Sequence, residues 1–121
     1  MKRKIYHLSS CSTCIRIIKE LGISDDQFEF QDIKSDLITI DQIDEMAEMR
    51  GSYESLFSRR AMKYKSMGLA NEDLKDEDYK KLILEEYTFL KRPVIVIGDE
   101  IFVGNSKKNI EAIASVLEKV L

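Results

Sequence analysis

The stretch Lys4-Ile5-Tyr6-His7-Leu8-Ser9-Ser10-Cys11-Ser12-Thr13-Cys14-Ile15-Arg16-Ile17-Ile18-Lys19-Glu20-Leu21-Gly22 decides how this chain is read. Lys4 to Leu8 is rich in Ile, Tyr and Leu, the composition of a short strand. Cys14, Ile17, Ile18 and Leu21 then recur at spacings of 3, 1 and 3, one apolar face of a helix. Gly22 falls where a left-handed residue ends such a helix. A C-x-x-C pair, Cys11 and Cys14, therefore sits at the junction of a strand and a helix.

Outward from this junction, Phe28-Glu29-Phe30-Gln31-Asp32-Ile33 alternates apolar and polar as a half-buried strand does. Thr39 and Gln42 make a capping box, with Ile40, Ile43, Met46 and Ala47 as the stripe behind it. Gly51-Ser52 breaks the pattern, and Ser52 caps a short helix carrying Tyr53, Leu56 and Phe57. Asp76 is a candidate N-cap for a helix with Tyr79, Leu82 and Ile83 inside. Val94 to Ile97 and Ile101 to Val103 are β-branched runs around Gly98-Asp99-Glu100, a hairpin with a three-residue turn. Ser106 caps a last helix whose stripe is Ile110, Ile113, Ala114, Leu117, Val120 and Leu121.

The order is β-α-β, a helical insert, then β-β-α. This is an α/β chain of thioredoxin-like arrangement with a mixed four-stranded sheet. Its first half implies a right-handed parallel crossover. The expected organisation is one domain over residues 1–121, the helical insert lying at about 39–88.

The chain has 121 residues, 19 Lys+Arg and 22 Asp+Glu, a formal net charge of -3. Mild acidity argues against direct nucleic-acid binding, which runs on surplus cations. Hydrophobic residues make up 44%, too many for disorder. The longest apolar run, Val94 to Ile97, is far short of the ~20 residues of a membrane span. Lys2, Arg3 and Lys4 follow Met1, but no apolar run typical of an export signal comes after them. Two cysteines do not make a secreted disulfide scaffold, so the expected compartment is a reducing cytoplasm.

Position gives the cysteine pair its meaning. A thiol at a helix N-terminus faces unpaired N–H groups and the positive end of the helix dipole. Both favour thiolate, so Cys11 reads as the nucleophile and Cys14, one turn inward, as the thiol that resolves a mixed disulfide. A zinc site is the first alternative, but zinc takes four ligands and only Cys11, Cys14 and the single His7 are near in sequence. Two small buried apolar side chains are the second. The strand–C-x-x-C–helix placement favours redox chemistry, with no metal and no tightly bound cofactor.

His7, four residues before Cys11, either tunes its thiolate by charge or hydrogen bond or is a packed histidine. Pro93 opens the third strand. In a thioredoxin-like chain it faces the cysteine motif, and in cis it would expose a backbone edge to a thiol substrate; a trans proline at a strand edge is the other reading. Arg92 is either a fixed charge for an oxyanion or a glutathione carboxylate, or a solvated arginine. Arg60, within the basic run Arg59-Arg60-Ala61-Met62-Lys63, either reaches the active site or lies on a solvated face.

Taken together, Tyr6-His7, Cys11-x-x-Cys14, Arg60, Tyr64, Gly68-Leu69, Leu90-Lys91-Arg92-Pro93-Val94-Ile95-Val96 and Val103-Gly104 resemble the arsenate reductase (ArsC)-like family. That family includes the Spx regulators and belongs to the glutaredoxin/thioredoxin superfamily. The resemblance implies that Cys11 attacks arsenate to form a thiolate–arsenic adduct, with electrons from glutathione and glutaredoxin. It matches His7 to the His just before the nucleophile, Arg92 to an oxyanion-holding Arg, and Pro93 to a cis proline.

The chain also departs from this pattern. Ser58 and Asn105 stand where two further oxyanion arginines are expected. Ile15 replaces the Arg that follows the motif, with Arg16 one step on, and Cys14 stands where the reductases often have Ser. A hydrogen bond to a charged partner contributes about 1.5–3 kcal/mol, so losing two arginines weakens arsenate binding by orders of magnitude unless Arg16, Arg60 or Lys107 substitutes. The implied function is thus an ArsC-like oxidoreductase acting on a small oxyanion or a disulfide, served by a glutaredoxin or thioredoxin system. The alternative is an Spx-like redox switch that binds the C-terminal domain of the RNA polymerase α subunit.

Overall fold

A computed structural model describes residues 2–120. The chain divides into two compact units, one built from the residues up to Asp36 together with Arg92 onward, the other from Leu37–Lys91.

The first unit is a four-stranded sheet in the order β2-β1-β3-β4, formed by β1 (Arg3–His7), β2 (Glu29–Asp32), β3 (Val94–Ile97) and β4 (Glu100–Val103). β1 pairs parallel with β2, with His7 opposite Asp32, and antiparallel with β3. β3 pairs antiparallel with β4. The sheet is therefore mixed, as the order of elements requires.

Helix α1 (Ser12–Leu21) connects β1 to β2, and α5 (Lys107–Val120) closes the unit. Gly22 ends α1 at φ +67°, a conformation open to a residue without Cβ. Its N–H and that of Ile23 reach the Lys19 and Ile18 carbonyls at 3.2 and 3.1 Å, a Schellman ending. Ser106 caps α5 by accepting the Asn109 N–H at 3.1 Å. Ile5, Ile95 and Ile97 from the sheet meet Ile113 and Leu117 from α5, with Ile18 and Leu21 of α1 packed against them. Each such side chain, once buried, contributes about 1.5–3 kcal/mol. Ile110, Ala114 and Val120 of the expected stripe are half-buried; Leu121 lies outside the described residues.

The hairpin differs from its sequence reading by one residue. Ile97 pairs with Glu100, so the turn has two residues, Gly98 and Asp99, and Glu100 belongs to the strand. Gly98 has φ +60° and Asp99 does not share that sign, the signature of a tight turn with glycine at its first central position.

The second unit is helical, with α2 (Ile40–Arg50), α3 (Met62–Ser66) and α4 (Asp76–Glu85) joined by 3₁₀ turns. The Thr39–Gln42 capping box forms in both directions, at 3.1 and 3.0 Å. Ile43, Met46 and Ala47 are buried as the stripe requires, whereas Ile40 is 58% exposed. Ile40 is the first helical residue, flanked by exposed Thr39 and Asp41. Ser52 caps a 3₁₀ turn at Glu54–Leu56 through the Ser55 N–H, at 3.2 Å.

Asp76 does not cap α4. Its carboxylate accepts the Tyr53 and Glu54 N–H groups at 3.2 and 3.0 Å, so it closes the Glu54–Leu56 turn instead. Asp78 takes the N–H of Lys75, the residue before α4, at 2.8 Å. Phe57 is the centre of this unit's core, stacked on Phe89 and edge-on to Tyr79, both at 4.9 Å.

Candidate functional site

The site is assembled where β1 hands the chain to α1. β1 ends at His7, and the Cys11 N–H turns back to the Leu8 carbonyl at 2.9 Å. Cys11 then occupies the N-cap of α1 with extended backbone, its carbonyl accepting the Ile15 N–H at 3.1 Å. Its side chain thereby faces the first-turn N–H groups that no carbonyl satisfies. Both cysteines are free thiols; Cys11 is partly exposed and Cys14 fully buried on the inner face of α1.

The two thiols are driven apart electrostatically. Burial acts first on Cys11 and opposes its ionisation. The Cys14 N–H, the Cys14 thiol, and the hydrogen bond and charge of Arg92 outweigh it, and Cys11 lies below the ordinary thiol value. Burial dominates at Cys14, and the hydrogen bond and charge of Cys11 push the same way. Its pKa is pushed up to about 12 despite the opposing Leu8 backbone and Arg92 charge. One sulfur is shifted toward thiolate and the other is held as thiol. This is the division of roles expected of a nucleophile and a resolving thiol.

Arg92 is half-buried and begins the unit's return to the sheet. The Arg92–Pro93 bond is cis, and the Pro93 carbonyl accepts the Gly104 N–H at 2.9 Å, which extends the β3–β4 pairing by one residue. Arg92, Cys11 and Cys14 are thus brought together.

His7 is placed differently. Burial lowers its pKa, with Asp32 pulling the other way, so the fold disfavours the imidazolium form that would supply a positive charge to a thiolate. Its ring meets Phe30 edge-on at 5.5 Å. Arg16 lies on the exposed face of α1 and pairs with Glu20 at 3.4 Å, a helical i,i+4 pair of small energetic consequence. Arg60 is an exposed turn residue of the second unit, just before α3. Asn105 is exposed between β4 and α5, and Ser58 donates its N–H to the Phe89 carbonyl at 2.6 Å.

Asp32 and Ser9 are absent from the sequence-based set of site residues. The Ser9 hydroxyl donates to Asp32 Oδ2 at 2.5 Å, and the Ser9 and Lys34 N–H groups point to Oδ1 at 3.4 and 3.2 Å. The Ser9 hydroxyl bond is the largest influence holding the Asp32 carboxyl below the usual carboxylate range. The usable signal is topological. Parallel pairing of β1 and β2 brings their C-terminal ends together, so a polar residue ending β2 falls beside the turn that carries Cys11.

Among the described residues, no group of three or more His, Cys, Asp and Glu side chains is arranged to hold a metal ion. The described helices also include none long and apolar enough to cross a membrane.

Arsenate reductases from two Neisseria meningitidis strains, of serogroups A and B, are each 26% identical over 113 residues, 91% of this chain and 96% of theirs. The structure of an arsenate reductase from Vibrio cholerae matches with a TM-score of 0.73 at 19% identity, over 98% of this chain and 97% of that one. That of an arsenate reductase (ArsC) related protein from Brucella melitensis matches with a TM-score of 0.66 at 22% identity, over 93% of each chain. These structural matches carry the shared fold. The family model described as ArsC family matches residues 6–113, nearly the whole length, and the chain belongs to that family.

Proposed function

We propose that this chain is a thiol reductase of the ArsC type, with Cys11 as nucleophile, Cys14 as resolving thiol and a glutathione–glutaredoxin or thioredoxin system as electron source. The observation that carries this reading is the opposite displacement of the two thiols, Cys11 downward and Cys14 up to about 12.

With a disulfide substrate, the Cys11 thiolate attacks one sulfur, a mixed disulfide forms, and the other sulfur leaves as thiolate. Cys14 then gives up its proton and attacks Cys11 Sγ, releasing the second substrate thiolate and leaving a Cys11–Cys14 disulfide. Once Cys11 is in the mixed disulfide its thiolate no longer raises the Cys14 pKa, so the resolving thiol becomes easier to ionise when it is needed. An external dithiol, or two glutathione molecules, returns the two electrons.

With arsenate, Cys11 displaces one oxygen, lost as water, to give a sulfur–arsenic bond. A second thiol then attacks sulfur, the electron pair passes to arsenic, and arsenite leaves. Arg92 is the cation beside Cys11 that offsets the oxyanion's charge. A disulfide substrate, which needs no set of oxyanion arginines, is the less demanding of the two.

The test is a coupled NADPH-oxidation assay with glutathione, glutathione reductase and glutaredoxin, run with arsenate and separately with a low-molecular-weight disulfide. Turnover on either that vanishes in Cys11→Ser supports the reading and names the substrate class. No turnover on both, in protein whose Cys11 still alkylates, removes the reductase assignment.

A second reading, an Spx-like disulfide switch binding the C-terminal domain of the RNA polymerase α subunit, is favoured by Cys14 standing where reductases often carry Ser. Binding of that domain in at least one redox state supports it, and no binding in either state removes it.

A further inference from the structure

We infer that Asp32 is a positioning residue for Cys11, acting through Ser9; the inference rests on the nucleophilic role proposed for Cys11. The segment from Leu8 to Cys11 is short, and Ser9 and Ser10 are both exposed. Two hydrogen-bonded attachments hold this turn. One is its own Cys11 N–H to Leu8 carbonyl bond, and the other is the Asp32 carboxylate, which takes both the hydroxyl and the N–H of Ser9. Asp32 is itself fixed, since it ends β2 opposite His7 and accepts the Lys34 N–H. The second attachment therefore ties the turn to the sheet.

Placement matters here because everything that favours the Cys11 thiolate is short-range. The Cys14 N–H and the Arg92 guanidinium act on the sulfur only while the N-cap geometry holds. A turn that drifts loses both, while the burial that opposes ionisation persists in part.

The sign of the effect separates positioning from simple charge. A carboxylate acting directly on Cys11 would disfavour the thiolate, because like charges repel. Removing it would then lower the Cys11 pKa. Removing a clamp raises it. Asn at this position can rebuild the clamp, its oxygen accepting the two N–H groups and its amide donating to the Ser9 hydroxyl, while the charge is gone. Ser9→Ala does the reverse, keeping the charge and deleting the hydroxyl bond.

The experiment is the pH dependence of Cys11 alkylation by iodoacetamide in a Cys14→Ser background, comparing Asp32→Ala, Asp32→Asn and Ser9→Ala with the parent and checking each fold by circular dichroism. Asp32→Ala and Ser9→Ala are expected to raise the apparent Cys11 pKa and to slow alkylation about three- to tenfold below it, since only the thiolate reacts. Asp32→Asn is expected to stay near the parent.

An unchanged or lowered pKa in both Ser9→Ala and Asp32→Ala overturns the inference. Ser9 is exposed, so its variant keeps the test open should Asp32→Ala fail to fold. An ordinary thiol pKa in the parent would instead overturn the nucleophilic role of Cys11 itself, a distinguishable result.

Discussion

His7 illustrates how one residue's surroundings decide its charge. Burial lowers its pKa, and the opposing pull of Asp32 does not restore it. A histidine whose pKa is lowered on folding binds its proton more weakly in the native state than in the unfolded chain. Its contribution is therefore intact above the unfolded value of ~6.5 and is lost as pH falls through the native one. Substituting His7→Gln should flatten the loss of stability between neutral and mildly acidic pH, measured by urea unfolding at a series of pH values. An equally steep loss in the variant would show that His7 is not the titrating group. At this scale the sequence pointed to Cys11 and Cys14 because motif and position travel together at a strand–helix junction, and to Arg92 and Pro93 through the family resemblance. Asp32 and Ser9 were not legible, since each is an ordinary polar residue until the parallel pairing of β1 with β2 brings them to one turn. Arg16 and Glu20 are four apart on α1, so their pairing follows from helical spacing.

The elements were readable where local chemistry determines them. The Thr39–Gln42 box and the Schellman ending at Gly22 depend on residues within a few positions of each other, and both form as the sequence requires. Thr39→Ala should cost about 1 kcal/mol by leaving first-turn N–H groups of α2 without their side-chain acceptor, read as a lower urea midpoint at unchanged slope. No change in midpoint would mean that solvent satisfies those groups equally well. Elements were misread where a distant partner competes. Asp76 has the chemistry of an N-cap, but the Tyr53 and Glu54 N–H groups, more than twenty residues away in sequence, hold its carboxylate. Glu100 is polar and reads as part of the hairpin turn, yet it completes the ladder opposite Ile97 at an exposed edge where polarity costs nothing.

For the molecule as a whole, the mixed sheet with α1 and α5 on its core exists to fix three things in one place: the N-terminus of α1, the buried inner face behind Cys14, and the Arg92–Pro93 entry to β3. None of these is present in the unfolded chain, where two cysteines three residues apart titrate as ordinary thiols. The central claim is that folding itself makes Cys11 acidic. The most direct test is the thiolate absorbance of the Cys14→Ser protein followed against pH, once folded and once in concentrated urea. The account predicts a Cys11 pKa below the ordinary value of ~8.5 in the folded protein and a return to that value in urea. Coincident titrations in the two states would contradict it.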